Sequence, residues 1–428
     1  MLSSKRIAVV FPVAIALLMC SLPLFATGAQ EKATKELKVL ACSWPTMDKV
    51  IALTPEFEAQ TGIKVTYESV PYPELHTKMR LALAAKEGLY DLITLNPDWA
   101  PAFLAEGFLQ SYAPYLKDSS LTPANFEVKD FYPSAMERFT YKGEVYGFPF
   151  ETGCFVNYYR KDLFQQRGLQ VPMTWDDYMV AAQKCTIDEN NDGKVDIYGA
   201  FVPGSRTSET AIEFITLLWS FDGKVLDDAG NPAFNSPAGR RALQVEADLV
   251  HKYKVTPPGI LENSYDTMVP VFLEGKLAML TSWVHVTGMA GDPSQSKIVD
   301  KWWFARRPGV GWTGTWCLAM PSDAKNKEAA YKLANFLTTK ESIRKLANQG
   351  IASTRASVME DAALQKQYPT LGPIIDAVKH AKPVFFSLQF EEMFDVLNVN
   401  VAEVLAGNKT VEEALSGAEA ELKKLFAK

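Results

Sequence analysis

Several familiar chemistries are missing from this sequence. Its 428 residues include only five cysteines and no Cys-x-x-Cys, which excludes a disulfide-built scaffold and a zinc ribbon. The four histidines, His76, His251, His285 and His380, are scattered, and none stands at a metal-ligand spacing from another. His-Glu-x-x-His, the phosphate loop Gly-x-x-x-x-Gly-Lys-[Ser/Thr] and the nucleophile elbow Gly-x-Ser-x-Gly are all absent. Basic charge is scarce as well. The formal net charge is −6, and a mildly acidic chain is a poor partner for nucleic acid. Beyond residue 30 no apolar run is long enough to span a membrane. Internal repeats and low-complexity linkers are lacking too, so if the chain forms two domains they share several crossings.

What is present is a folded globular composition, 47% apolar and 22% charged, at a length that fits about two domains. The N-terminus reads as an address. Lys5 and Arg6 precede the apolar stretch Ile7 to Phe25, and Ala26-Thr27-Gly28-Ala29 supplies small residues for cleavage. Residues 1–29 are expected to be a secretory signal. An uncleaved anchor is the competing reading, disfavoured by Pro12 and Pro23. Cys20 follows Met19 and precedes more apolar residues, so it belongs to the apolar core of the signal. Without Lys5 and Arg6 the net charge becomes −8.

Leu37 to Cys42, Ile63 to Glu68 and Asp91 to Leu95 read as strands, and Met47 to Gln60 and Pro73 to Glu87 as helices. That alternation predicts a parallel sheet in an α/β domain, whose ligands gather beyond the C-terminal strand ends. Those ends carry Ser43-Trp44 and Asn96-Pro97-Asp98-Trp99. Tyr141 to Phe150 resembles a hairpin leading into Glu151. A second α/β block follows, with capping signals at Thr174, Ser236, Thr338 and Thr410 and strands expected at Gly275 to Leu280 and Thr315 to Ala319.

Gly309-Val-Gly311-Trp-Thr-Gly314 matches the dinucleotide fingerprint in letters only. A strand follows it where a helix should start, so it is expected to be a loop presenting Trp312 and Trp316. Asp188, Asn190, Asp192 and Asp196 stand at the spacing of the front of a calcium loop, with Gly193 at the turn, but Gly199 occupies the place of the closing glutamate. A structural calcium site and a plain polar turn both fit. Trp44, Trp99, Trp283, Trp312 and Trp316 all fall at expected strand ends or in loops, with Asp98, Glu151, His285 and Arg355 near the same ends. Any one tryptophan is ordinarily core. Several at strand ends suit a sugar, whose C–H face stacks on indole while its hydroxyls reach carboxylates, amides and guanidinium.

The chain resembles the extracellular solute-binding proteins of family 1, which deliver sugars to ABC importers and include maltodextrin and multiple-sugar binders. The resemblance lies in Phe57-Glu-Ala-Gln-Thr-Gly-Ile-Lys-Val65, Tyr90-Asp-Leu-Ile-Thr94 with Phe103-Leu-Ala-Glu-Gly107, Tyr146-Gly-Phe-Pro149 and Asn157-Tyr-Tyr-Arg-Lys-Asp-Leu163. It continues in Lys327-Glu-Ala-Ala330, Ser353-Thr-Arg355 and Val401 to Ala414. Each segment is weakly specific, but their order and spacing together are strong. The resemblance implies an α/β fold of the two-lobe periplasmic-binding-protein class (type II), with a ligand cleft between lobes joined by three hinge crossings. Residues 37–149 and 308–360 would form one lobe and 150–307 and 361–428 the other, with crossings near Phe148 to Glu151, Phe304 to Pro308 and Val358 to Ala363. It also implies that Trp44, Asp98, Glu151, Trp283, His285, Trp316 and Arg355 line the cleft, to which the reading of the tryptophans adds Trp99 and Trp312. Gly314-Thr-Trp316 departs from the Gly-Gly-Trp common in the family.

On this reading the protein is not an enzyme and requires no cofactor. It works outside the cytoplasm, free or tethered, as a monomer that binds a sugar, oligosaccharide or polyol and hands it to a membrane permease. Two alternatives stand beside it. The same fold could hold an anion such as a glycerol phosphate ester, using Arg306-Arg307. A secreted carbohydrate-active enzyme would need two opposed carboxylates, for which Asp98 and Glu151 are the candidates. Cys42, Cys154, Cys185 and Cys317 are expected to be buried thiols, with a Cys154–Cys185 bridge as the alternative.

Overall fold

The computed structural model describes residues 36–383 and 389–427, which belong to one packed unit; the expected signal at 1–29 lies outside the described residues. Strands β1 (Glu36–Cys42), β2 (Lys64–Val70) and β3 (Leu92–Leu95) pair in parallel with β1 in the centre. A small hairpin, β4 (Thr140–Tyr141) and β5 (Glu144–Val145), leads into the 14-residue β6 (Gly147–Arg160). β7 (Met279–Trp283) and β8 (Trp302–Arg306) both pair antiparallel with β6. β9 (Gly311–Ala319) runs antiparallel to β6 and to β3, and takes β10 (Ala381–Pro383) in parallel. The eight-stranded sheet is therefore continuous, in the order β2-β1-β3-β9-β6-β7, and β6 and β9 run through its middle.

Local chemistry explains most element limits. The single helix expected over Met47 to Gln60 is two, Pro45–Ile51 and Thr54–Thr61. Pro55 has no amide hydrogen to donate and its ring obstructs the preceding turn, so the helix must end and restart with proline in its first turn. Gly62 then closes the second helix in the left-handed region, at φ 69°. Thr174, Ser236 and Thr410 cap their helices by accepting from the third amide along. The cap of the helix Lys340–Ala347 is Thr339 instead of Thr338. The strand expected at Gly275 starts later, at Met279, because Gly275 makes a left-handed turn at φ 84°.

Two cores flank the first sheet segment. One side packs Leu40, Leu75, Met79, Ile93 and Phe103; the other is continuous with the rest of the molecule. Cys42, Cys154, Cys185 and Cys317 are buried free thiols, and Cys154 and Cys185 are not bridged. Burial pushes the Cys42 and Cys154 thiols up to about 12, so they are inert small hydrophobes.

A buried polar group sits behind β9. Arg307 grips Glu213 through two bonds of 3.1 and 2.6 Å, and both residues are buried. Glu246 is buried beside them with neither carboxylate oxygen hydrogen-bonded. One cation thus serves two carboxylates. Burial first, and the Glu213 charge second, hold the Glu246 carboxyl far above the usual carboxylate range, so it stays protonated. A folded pKa raised above the ordinary 4.5 stabilises the fold fully below that value, and the contribution is lost as pH rises toward the folded value. Glu246→Gln keeps the neutral shape and should remove this alkaline decline. At about pH 8 its melting temperature is expected to exceed the parent's by about 2 °C or more, the gap closing near pH 5. Circular-dichroism melts across that range check it, and superimposable curves would refute a protonated Glu246.

Candidate ligand-binding cleft

The C-terminal ends of the first three strands converge on one aromatic group. Trp44 follows β1, Tyr72 follows β2, and Asp98 and Trp99 follow β3. The antiparallel β9 adds Trp316. Trp44 and Trp316 lie 4.7 Å apart between ring centroids, Tyr72 stacks on Trp99 at 5.4 Å, and Trp99 meets Trp316 edge-on at 5.9 Å. Trp44 and Trp316 pack against both cores, which holds the group rigid. Tyr72 is 46% exposed, yet surrounding protein still raises its hydroxyl pKa, as expected on the wall of a concavity.

Sheet register builds the floor. Across β6 and β9, Glu151 pairs with Trp316 and Gly153 with Gly314, so all four share one face. The Trp283 indole lies flat on the glycine pair. A Cβ on Gly314 would come within 2.8 Å of that ring, and one on Gly153 within 3.2 Å. Absence of side chains there is what seats the indole. His285, two residues on, precedes the short helix Val286–Ala290 with its ring accessible. Burial lowers its pKa and Asp266 opposes the shift.

The polar groups are carboxylates in apolar company. Glu151 accepts from Trp44 Nε1 at 3.1 Å and from Thr46 Oγ1 at 3.2 Å, and burial pushes its carboxyl up to about 7. Burial likewise pushes Asp98 up to about 6 against the pull of Arg138. Glu391, from the helix Phe390–Leu405, places Oε1 3.1 Å from His76 Nε2 without the alignment of a hydrogen bond.

The profile of the family described as bacterial extracellular solute-binding protein matches residues 44–343. The chain belongs to that family. A mannitol-binding protein of Pseudomonas aeruginosa is 26% identical over 413 residues, 93% of this chain and 90% of that one. A solute-binding protein of an ABC transporter from Agrobacterium radiobacter, solved with ribitol, is 28% identical with a TM-score of 0.79, covering 92% of this chain and 99% of that one. A maltose-bound protein of T. maritima is 27% identical, also at TM-score 0.79, covering 91% and 99%. The fold is therefore the two-lobe solute-binding fold with its ligand cleft between the lobes.

Against that fold, the expected site residues of this solute-binding protein divide. Trp44, Asp98, Trp99, Glu151 and Trp316 come together; Trp283 and His285 occupy the adjoining stretch beyond the glycine pair. Trp312 is a correction. Gly311 to Ala319 is strand, not loop, and Trp312 is 1% exposed, stacked on Trp219 at 5.3 Å with Phe394 edge-on. Arg355 is a second correction. It is fully buried over Phe131 and donates to the carbonyls of Thr338 and Glu127, so it braces the chain and cannot meet a ligand. The cations proposed for an anionic ligand are also committed elsewhere, Arg307 to Glu213 and Arg306 to Asp376 at 3.5 Å. Tyr72, His76, Arg138 and Glu391 were missed. Tyr72 follows the end of β2 and so obeys the strand-end rule, whereas Glu391 and Arg138 carry no local signal.

The Asp188 loop is held by its own hydrogen bonds. Asp188, Asn190, Asp192 and Asp196 each accept a main-chain amide from within the loop, and no metal-holding group of three or more His, Cys, Asp or Glu occurs among the described residues. A melt with EDTA is expected to match one with calcium; a calcium-dependent rise would show that the loop rearranges around an ion. Glu151 offers a second check. Trp44 donates to it, so tryptophan emission should titrate with a step near pH 7 that disappears in Glu151→Gln. A step of equal size in the variant would refute the assignment.

Proposed function

We propose that this chain is the extracytoplasmic binding component of an ABC importer for a polyol or a short sugar. The observation that carries the reading is the group formed by Trp44, Tyr72, Trp99 and Trp316 around Glu151 and Asp98. Flat aromatic faces beside partly desolvated carboxylates suit neutral, hydroxyl-rich, C–H-faced ligands. The mannitol- and ribitol-binding relatives support the same class. Residues 37–149 with 308–360 and residues 150–307 with 361–428 would be the two lobes. The register irregularity in β6 between Pro149 and Glu151 supports a hinge there. Closure follows when a ligand contacts both lobes at once, shifting the population toward the closed form that a permease engages.

In this reading the protein acts as a single copy, binds without turnover and is exported by residues 1–29. An anionic cargo is the weaker reading, since Arg306 and Arg307 are held in ion pairs and the described cleft carboxylates would repel it. The test is a thermal-shift panel of polyols, mono- and oligosaccharides and phosphate esters on protein stripped of carried-over ligand. At a hundred times its dissociation constant, a binder is expected to add about 2.7 kcal/mol of stability. Shifts confined to phosphate esters would overturn the proposal, and so would hydrolysis of any bound sugar over days.

A further inference from the structure

Two helices seated in different parts of the molecule meet at one point. The helix Tyr72–Ala85 belongs with residues 37–149: Leu75 and Met79 pack with Leu40, Ile93 and Phe103, and Arg80 Nη2 lies 2.7 Å from Glu106 Oε1. The helix Phe390–Leu405 is fastened to residues 150–307. Asn398 Oδ1 accepts from the Ala211 amide at 2.9 Å, His251 Nε2 lies 3.0 Å from the Val404 carbonyl, and Arg206 is paired with Glu403. Yet the first turn of this second helix reaches the first. Glu391 Oε1 stands 3.1 Å from His76 Nε2, and the Phe390 ring centroid lies 5.9 Å from the Arg138 guanidinium. The His76 ring is held on its own side, 4.8 Å from Trp99 and stacked on Phe103 at 6.0 Å between centroids. The Glu391 side chain is 53% exposed, and its oxygen is off the line of a hydrogen bond to the imidazole. Such a surface contact is weak enough to break and remake, unlike the buried Arg307–Glu213 pair.

We propose that Phe390 and Glu391 form a strap from one lobe to the other beside the aromatic group, with His76–Glu391 as its releasable contact, and that this strap restrains the opening of the ligand-free protein. The inference rests on the lobe division and cleft reading given above and adds to them a control on the motion of the same site. Any hinge motion that separates the two helices must break the contact. An exposed pair of this kind shifts an equilibrium by about two- to fivefold. That is a measurable change where open and closed forms differ by only a few kcal/mol. Glu391 also lies close enough for its charge to act on Asp98 and Tyr72. As a strap, Glu391 favours the closed form. As a like charge beside Asp98, it would favour the open one, so the two roles have opposite signs.

Spin labels on Leu81→Cys and Val180→Cys test the strap. Both positions are exposed, one in each lobe, and Cys42, Cys154, Cys185 and Cys317 are buried away from the label. Electron–electron double resonance on the ligand-free chain then reads the lobe separation. Glu391→Gln removes the charge, and His76→Phe keeps a ring on Trp99 and Phe103 while deleting the nitrogen. Each is expected to raise the ratio of long to short separations about two- to fivefold. Glu391→Gln should add nothing in the His76→Phe background, because the two substitutions remove the same contact. Glu391 is exposed, so Glu391→Gln decides the matter even where His76→Phe fails to fold. Separations unchanged by Glu391→Gln, a shift toward shorter separations, or additive effects in the double variant would overturn the strap. Mannitol, ribitol and glucose probe the cargo in a separate arm. If none of them changes the wild-type separation or melting temperature, the cleft reading falls, while the ligand-free comparison still decides the strap.

Discussion

The antiparallel pairing of β6 with β9 is the constraint on which the rest of this molecule depends. It links the parallel strands β1 to β3 on one side with β7 and β8 on the other through one continuous ladder of main-chain hydrogen bonds. Its register also decides what the cleft floor presents. Opposing Glu151 to Trp316 puts an acceptor beside an indole, and opposing Gly153 to Gly314 leaves a bare strip for Trp283. Because strand side chains alternate faces, a one-residue slip would turn all of these groups away from the ligand together. The irregularity between Pro149 and Glu151 is placed where the ladder can bend without losing the pairs that matter.

Desolvation is the second theme, and it has opposite outcomes in two places. At Arg307 and Glu213 the buried charges are joined bidentately, and the surplus carboxyl of Glu246 is kept neutral. That cluster belongs to the scaffold, although Arg307 Nε and both Glu246 oxygens have no partner there. In the cleft, Trp44 serves both as ring and as donor to Glu151, while Asp98 and Arg138 keep unpartnered atoms. Partial satisfaction costs free energy in either place. Neither burial nor an unmade hydrogen bond separates scaffold from site by itself; position at the strand ends beside exposed aromatic faces does.

Local patterns were readable where neighbours in sequence act on one another. The strand β1, the left-handed stop at Gly62 and the capping box at Thr410 with Glu413 follow from side chains a few residues apart. Pro55 shows the limit of periodicity alone: apolar spacing ran straight through it, while the missing amide hydrogen broke the helix. Trp312 and Trp316 show a different limit. They sit four residues apart on the same strand, yet one is covered by Trp219 and Phe394 and the other opens to the cleft.

By itself the sequence determined the α/β class, the strand ends at which Trp44, Asp98 and Trp99 gather, and the family whose ordered segments the chain carries. Those depend on local spacing and strand-end chemistry. Only the tertiary structure decided that Glu151 accepts from Trp44 across 107 residues, that Arg355 and Trp312 are interior, and that Arg138 donates to the Pro97 carbonyl. Such contacts are set by sheet register and by packing between elements distant in sequence, and neither leaves a periodic trace in the residues concerned.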